Sequence, residues 1–256
     1  MDYMTYAYLQ TAQDVAARRV LDRLPEIASK FNPSATAGAA PGSAGLFSLA
    51  AIPARYALER GDWAAAAALE PKTTAFAWVD AQSRFARAVG AARSGHADAA
   101  RADIEQLASL RDKLTAGNDA YWAGQVDGER RVAEAWVVYA SGRREEAIAQ
   151  LTAAADAEDA TDKSAITPGP LAPARELLGD MLLDAGRAPD ALRAYEATMA
   201  KEPNRFRAVY GAAKTAAAAG DRDRAAKYYK TLIEICTSSD TERVELKEAR
   251  AFRGNR

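Results

Sequence analysis

The chain has 256 residues, with 34 Lys and Arg against 35 Asp and Glu, a formal net charge of −1 and 49% hydrophobic residues. A balance that even excludes any general attraction to nucleic acid or acidic membranes, and a single cysteine, Cys236, excludes an internal disulfide. No apolar run reaches the roughly 18–20 residues of a membrane span, and the opening MDYMTYAYLQ lacks the basic-then-apolar layout of a signal peptide. The chain therefore reads as soluble, cytoplasmic by default, or periplasmic if a leader segment precedes it.

Alanine, leucine, arginine and glutamate dominate and β-branched runs are nearly absent, so helix is expected almost throughout. Apolar residues recur at three- and four-residue spacing, as in Val132, Ala135, Trp136 and Tyr139. Taken in order, helical hairpins are expected over roughly 2–29, 46–70, 77–114, 120–156, 172–202 and 205–236, with a capping helix over 240–252. Between the first two, residues 30–45 are rich in Gly, Pro, Ala and Ser and form a loop that cannot bury enough to fold alone. Pro53, in SLAAIPARYALER, either starts a helix or kinks one, and the kink is the favoured reading. Pro168, Gly169 and Pro170 make 157–171 a second loop, and Pro173 is placed in the first turn of the helix that follows. After Cys236, TSSDTERVELKEARAF offers Ser or Asp as an N-cap to a polar closing helix.

A spacing rule links the hairpins. Gly61, Gly95, Gly142, Gly186 and Gly220 are each followed five residues later by an alanine: Ala66, Ala100, Ala147, Ala191 and Ala225. Near the start, Ala12 stands in the glycine slot with Ala17 five beyond it. Gly61 to Gly95 and Gly186 to Gly220 each span 34 residues, the period of a two-helix repeat. The glycine supplies a positive φ just past the first helix, and the alanine sits where the second helix comes closest to it. Tyr195 and Tyr229, four residues beyond the alanine, then face the next hairpin.

Residue types that carry chemistry are scarce. His96 lies in the turn SGHAD, and one His with one Cys cannot form a multi-ligand metal site. No glycine-rich phosphate loop and no Gly-x-Ser-x-Gly elbow occurs. Carboxylate pairs such as Glu145–Glu146 and Asp156–Asp159 fall on polar helix faces or in loops, and SRFARAVGAARSGHADAAR reads as a solvated helix face. The expectation is therefore no catalytic residue, no metal, no cofactor, no nucleic-acid partner and no membrane insertion.

The segment LLGDMLLDAGRAPDALRAYEATMAKEP resembles a tetratricopeptide repeat, with Gly179, Gly186, Ala191, Tyr195 and Pro203 in that family's signature slots. The next unit matches through Gly220, Ala225, Tyr229 and Leu232, with Ala213 in place of the small glycine. The resemblance is close over about 172–236 and looser elsewhere, and the chain also looks like the C-terminal portion of longer bacterial tetratricopeptide proteins of poorly defined function. It implies an all-α fold: a single right-handed α-solenoid over 1–256, of about six hairpins and a C-terminal cap, whose concave groove is walled by the first helix of each repeat.

What the family implies for function is a protein- or peptide-binding scaffold. Carried onto this sequence, the family's groove positions are Arg55, Phe85, Val89, Glu129, Trp136, Tyr139, Glu176, Asp180, Arg207, Tyr210 and Lys214. Phe85, Val89, Trp136 and Tyr139 are equally well read as core between repeats, whereas the polar members are the better surface contacts. Tyr121 and Trp122, at the mouth of a helix, are a further contact or an ordinary packing staple. The clamp by which some family members grip a terminal carboxylate needs paired asparagines on the groove helices. Asn32, Asn118, Asn204 and Asn255 all fall in turns, loops or the tail. Two alternatives stand beside this reading: a regulatory or substrate-recruiting portion of a larger enzyme or sensor whose active part lies in an absent N-terminal segment, and homo-oligomerisation through an exposed N-terminal hairpin.

Overall fold

The structure, a computed structural model, describes residues 1–32 and 42–254. Those residues are helical with no strand among them, as α1 (Asp2–Gln10), α2 (Asp14–Asp22), α3 (Leu24–Lys30), α4 (Gly42–Glu59), α5 (Trp63–Ala67), α6 (Ala77–Arg93), α7 (Ala100–Ala116), α8 (Ala120–Ala140), α9 (Arg144–Asp159), α10 (Ala174–Asp184), α11 (Ala188–Lys201), α12 (Phe206–Ala218), α13 (Arg222–Ile235) and α14 (Val244–Gly254). From α4 to α9, and again from α11 to α14, each helix packs on its neighbours in sequence. The fold class is thus all-α, in the manner of a helical-repeat solenoid.

The turns show why. Gly61, Gly95, Gly142, Gly186 and Gly220 all take positive φ, between 63° and 88°, and Ala12 in the equivalent slot takes 54°. At Gly186 the turn is a Schellman closure: its N–H donates to the Leu183 carbonyl at 3.0 Å and that of Arg187 to Leu182 at 2.9 Å. The chain reverses, and the alanine five residues after each turn is then fully buried, at Ala17, Ala66, Ala100, Ala147, Ala191 and Ala225 alike. The opposite ends turn on Asn118 and Asn204, also at positive φ, which places both asparagines away from any helix face.

Helix-on-helix distance is set by glycine. A Cβ at Gly179 would lie 2.7 Å from the Tyr195 ring and one at Gly211 would lie 2.4 Å from it, so two helices, α10 and α12, close on the two sides of one tyrosine. Gly211→Ala is expected to lower stability by about 1–3 kcal/mol, because the ring is held and cannot yield. Gly124→Ala, in open space on α8, should instead raise stability by roughly 0.5–1 kcal/mol. Urea midpoints of the two variants should move in opposite directions.

Several sequence expectations are modified. The helix of α4 begins at Gly42, so the last four residues of the expected 30–45 loop are helical, while its 33–41 portion lies outside the described residues. Pro53 sits inside α4 with helix on both sides of it. Pro173 stands just before α10 rather than within its first turn, and the first amide of that helix, Ala174 N–H, is capped by Glu158 at 2.8 Å. The interval of 47 residues from Gly95 to Gly142 arises from long helices, 17 residues in α7 and 21 in α8, not from an inserted loop.

By its internal packing the chain divides into two compact units. Unit 1 comprises Met1–Tyr3 and Arg19–Ala174; unit 2 comprises Met4–Arg18 and Arg175–Arg256. In unit 2 the turn between α1 and α2 is built into the C-terminal repeats. Ala12 belongs to a core with Phe206, Val209, Tyr229, Leu232 and Leu246, and Gln10 accepts the Phe206 N–H at 2.8 Å. Asp14 pairs with Arg243, and Asp240 caps α2 through the Val15 and Ala16 amides at 3.0 and 2.9 Å. The N-terminal hairpin is thus covered in part: Leu9, Ala12 and Ala17 are fully buried, while Met1, Tyr3, Met4 and Val15 stay exposed.

Candidate functional site

In unit 1 the first helices of successive hairpins, α4, α6 and α8, lie side by side, with α6 against both others. Arg55, on α4, was expected to face a ligand. It is instead fully buried. Its Nε and Nη2 grip the two carboxylate oxygens of Asp2 at 2.9 and 3.2 Å, and it donates further to the Pro170 and Gly169 carbonyls at 3.1 and 3.2 Å. Thr167 closes that turn by donating to the Gly169 carbonyl at 2.8 Å, and the Tyr3 hydroxyl reaches the Ala165 and Thr167 carbonyls. Arg55 therefore fixes residues 165–170, and its charge is spent on the chain itself.

Phe85 and Val89 are core, at 2% and 0% exposure, as half of their reading anticipated. Trp136 is also buried; the Arg93 guanidinium lies between the rings of Trp136 and Trp63, 4.3 and 3.9 Å from their centroids. Tyr139 meets Trp136 edge-on at 5.7 Å and stays partly exposed. At the other end of α6 and α8, Trp78 and Trp122 stack at 4.5 Å, and Phe47 packs against both rings, at 5.6 and 6.2 Å. Trp122 is thus mainly a packing residue, while Tyr121 is exposed and donates to the Asp162 carbonyl at 3.1 Å.

Glu129 is different. Gln82, from α6, donates to its Oε1 at 3.2 Å, but its Oε2 is shut off from solvent and has no hydrogen-bond partner among the described residues. Burial pushes this carboxyl up to about 8, with the Glu158 carboxylate adding to the rise and the Gln82 amide opposing it. The folded state therefore holds a proton that the unfolded chain releases near the ordinary value of 4.5, so stability falls as pH climbs from there through about 8. Glu129→Gln is expected to flatten that slope and to gain stability at the alkaline end. Urea unfolding from pH 5 to 9 checks the sign.

Unit 2 gathers three of the expected residues, Glu176, Asp180 and Arg207, into one ladder. Glu176, on α10, is fully buried and accepts both arms of Arg205, at 2.7 and 2.9 Å, with Arg207 Nε 3.3 Å away. Arg207 passes on to Asp180 at 2.6 Å, and Asp180 accepts the Tyr195 hydroxyl at 2.7 Å. Burial first, and the Asp180 carboxylate next, hold the Tyr195 phenol well above its usual range. Further along, Glu248 on α14 accepts hydroxyls from both Tyr210 and Tyr229, at 2.7 and 2.6 Å, and both phenols are raised, chiefly by burial. Lys214 alone among the expected groove positions is exposed, its Nζ 5.8 Å from the Tyr210 ring centroid.

The candidates thus separate. Arg55, Phe85, Val89, Trp136 and Glu176 are buried; Glu129, Tyr139, Asp180, Arg207 and Tyr210 are partly exposed; Lys214 is open. Residues that the sequence reading passed over are Asp2, Gln82, Arg205 and Gly211. Only Gly211 had a legible signal, since it lies two residues before Ala213, the slot where the repeat pattern sought a small side chain. His96 is an exposed turn residue. Among the described residues no cluster of three or more His, Cys, Asp or Glu could hold a metal ion, and no helix is long and apolar enough to cross a membrane.

Residues 182–235, from the end of α10 to the end of α13, match the family model of the tetratricopeptide repeat. No curated protein matches the chain.

Proposed function

We propose, from the tetratricopeptide repeat over 182–235, that the chain is a protein-interaction scaffold that takes an extended or helical segment of a partner against the first helices of its hairpins. That repeat is the observation that carries the reading, since such repeats serve protein–protein interaction generally, although fold alone does not fix function. In unit 2 the contact residues are Asp180, Arg207, Tyr210 and Lys214; the first three are braced by the Glu176 ladder and by Glu248, so they would meet a ligand with little further loss of side-chain freedom. In unit 1 they are Glu129 and Tyr139. The mixed signs suit a polar, mixed-charge segment rather than a strongly acidic one. The buried candidates shape the wall without touching the ligand.

A display library of random dodecapeptides selected on the purified chain tests this. Lys214→Glu should weaken the selected unit 2 binders about tenfold or more, while Lys230→Glu, on the second-helix face of α13, leaves them unchanged. Selected peptides that are insensitive to Lys214, Arg207 and Tyr139 alike would place binding elsewhere and overturn the assignment.

A further inference from the structure

Unit 2 carries unpaired charges of both signs at the end of its row of first helices. Along α10 and α12 the charged side chains answer one another: Glu176 holds Arg205, and Asp180 holds Arg207. The step from α12 to α14 is different. Tyr210 crosses it, its hydroxyl donating to Glu248 Oε2 at 2.7 Å, while Tyr229 donates to Oε1 at 2.6 Å. Both donors are neutral, so the exposed Glu248 carboxylate keeps its whole negative charge. Glu245 lies three residues earlier on the same side of α14 and is partly exposed. Burial first, then the hydrogen bond to Glu248 and the charges of Glu248 and Glu245, hold the Tyr210 phenol above its usual range, so both carboxylates stand close to that side chain.

The opposite pole is Lys214, one turn further along α12, exposed, with its ammonium 5.8 Å from the centroid of the Tyr210 ring. Among the described residues neither Lys214 nor Glu245 has an ion-pair partner, so both poles lie near one tyrosine without being joined to each other. The other described bases of α12 and α14 do not fill the gap. Arg207 is held by Asp180 and Glu176, and Lys247 by Glu242. Arg250 leaves α14 about 140° round the helix from Glu245 and about 160° from Glu248. On the adjoining segments, Arg222 lies over the Phe252 ring at 5.4 Å and Arg243 is held by Asp14.

We propose that this step selects a captured segment bearing one charge of each sign: an acidic side chain of the partner seats on Lys214 beside the Tyr210 ring, and a basic side chain seats on Glu245 and Glu248. The inference rests on the scaffold reading above and adds the chemistry of two ligand positions, one of them on the closing helix. Packed helices stand about 8–10 Å apart and an extended chain advances roughly 3.3 Å per residue, so the two ligand charges fall about three residues apart. A segment with two acids brings one of them against the α14 carboxylates, and a segment with two bases brings one against the ammonium. Either arrangement sets like charges side by side and is disfavoured. Exposed ion pairs contribute modestly to affinity, so the effect is chiefly on which segment is chosen.

The test uses synthetic dodecapeptide mixtures with two central positions fixed at that spacing: aspartate with lysine in either order, two aspartates, two lysines, or two alanines. At least one mixed-sign set should bind the full chain about fivefold more tightly than the alanine set, with both like-charge sets weaker than the mixed one. Lys214→Glu should move the preference to the two-lysine set, and Glu245→Lys should move it to the two-aspartate set. Neither side chain is buried or ion-paired, so both variants should keep the helical circular-dichroism spectrum. Glu245→Gln, a milder change, should only erase the demand for a base, bringing the mixed set level with one aspartate beside alanine. A mixed-sign preference that survives both charge reversals overturns the assignment. Equal binding of all sets overturns it and leaves the scaffold standing; binding of none overturns both.

Discussion

Arg55→Met is expected to lower the stability of unit 1 by about 3–5 kcal/mol, the range for removing one partner of a buried ion pair. The guanidinium is wholly enclosed and makes its bonds to Asp2 and to two loop carbonyls at 2.9–3.2 Å. Without it the Asp2 carboxylate is stranded, and the Gly169 and Pro170 carbonyls lose a donor. Arg55→Lys should recover little, since an ammonium cannot present the fork that spans both carboxylate oxygens and the turn. Hydrogen exchange gives the local reading: amides of 163–171 should lose protection well before those of α6. A loss under about 1 kcal/mol would mean that the turn holds without this residue.

The second large effect is at Glu176. Glu176→Ala removes the bidentate partner of the fully buried Arg205 and the nearer carboxylate of Arg207, and should cost about 3–5 kcal/mol in unit 2. The double variant Glu176→Leu with Arg205→Met, which removes both charges, should restore most of that loss, because the desolvation cost disappears with the pair. Were Glu176 a ligand contact, its removal would instead reduce affinity and leave the unfolding transition in place. Urea midpoints of the single and double variants separate the two cases.

The repeats were legible because their turns are written in residue types with little latitude. A glycine past a helix end and an alanine five residues later each answer a local steric demand, and local demands survive in a single sequence. The same cannot be said of the wall. Arg55, Glu176 and Lys214 are all polar residues on the first helices of hairpins, yet two are enclosed and one is open. What decides between them is a partner far along the chain: Asp2 for Arg55 and Arg205 for Glu176. No spacing rule links residue 2 to residue 55. The placement of the α1–α2 turn was likewise illegible, since Ala12 carries the usual turn pattern whichever hairpin it packs upon. Trp136 was read as an anchor or as core from its residue type alone, and it was the position of Arg93, across the helix interface, that settled it as core.

The incorporation of residues 4–18 into unit 2 bears on the order in which the chain can be made and assembled. Gln10 and Asp14 find Phe206 and Arg243 across separations of 196 and 229 residues. At ordinary rates of synthesis that gap lasts roughly 10–45 seconds, during which Leu9, Ala12 and their neighbours have no burial site of their own. The second unit is then a late, non-local event, in contrast to hairpins that close as they emerge. A ribosome-bound nascent chain halted before residue 206 should expose this stretch to chaperones and proteases, and one carried past the α14 helix should conceal it.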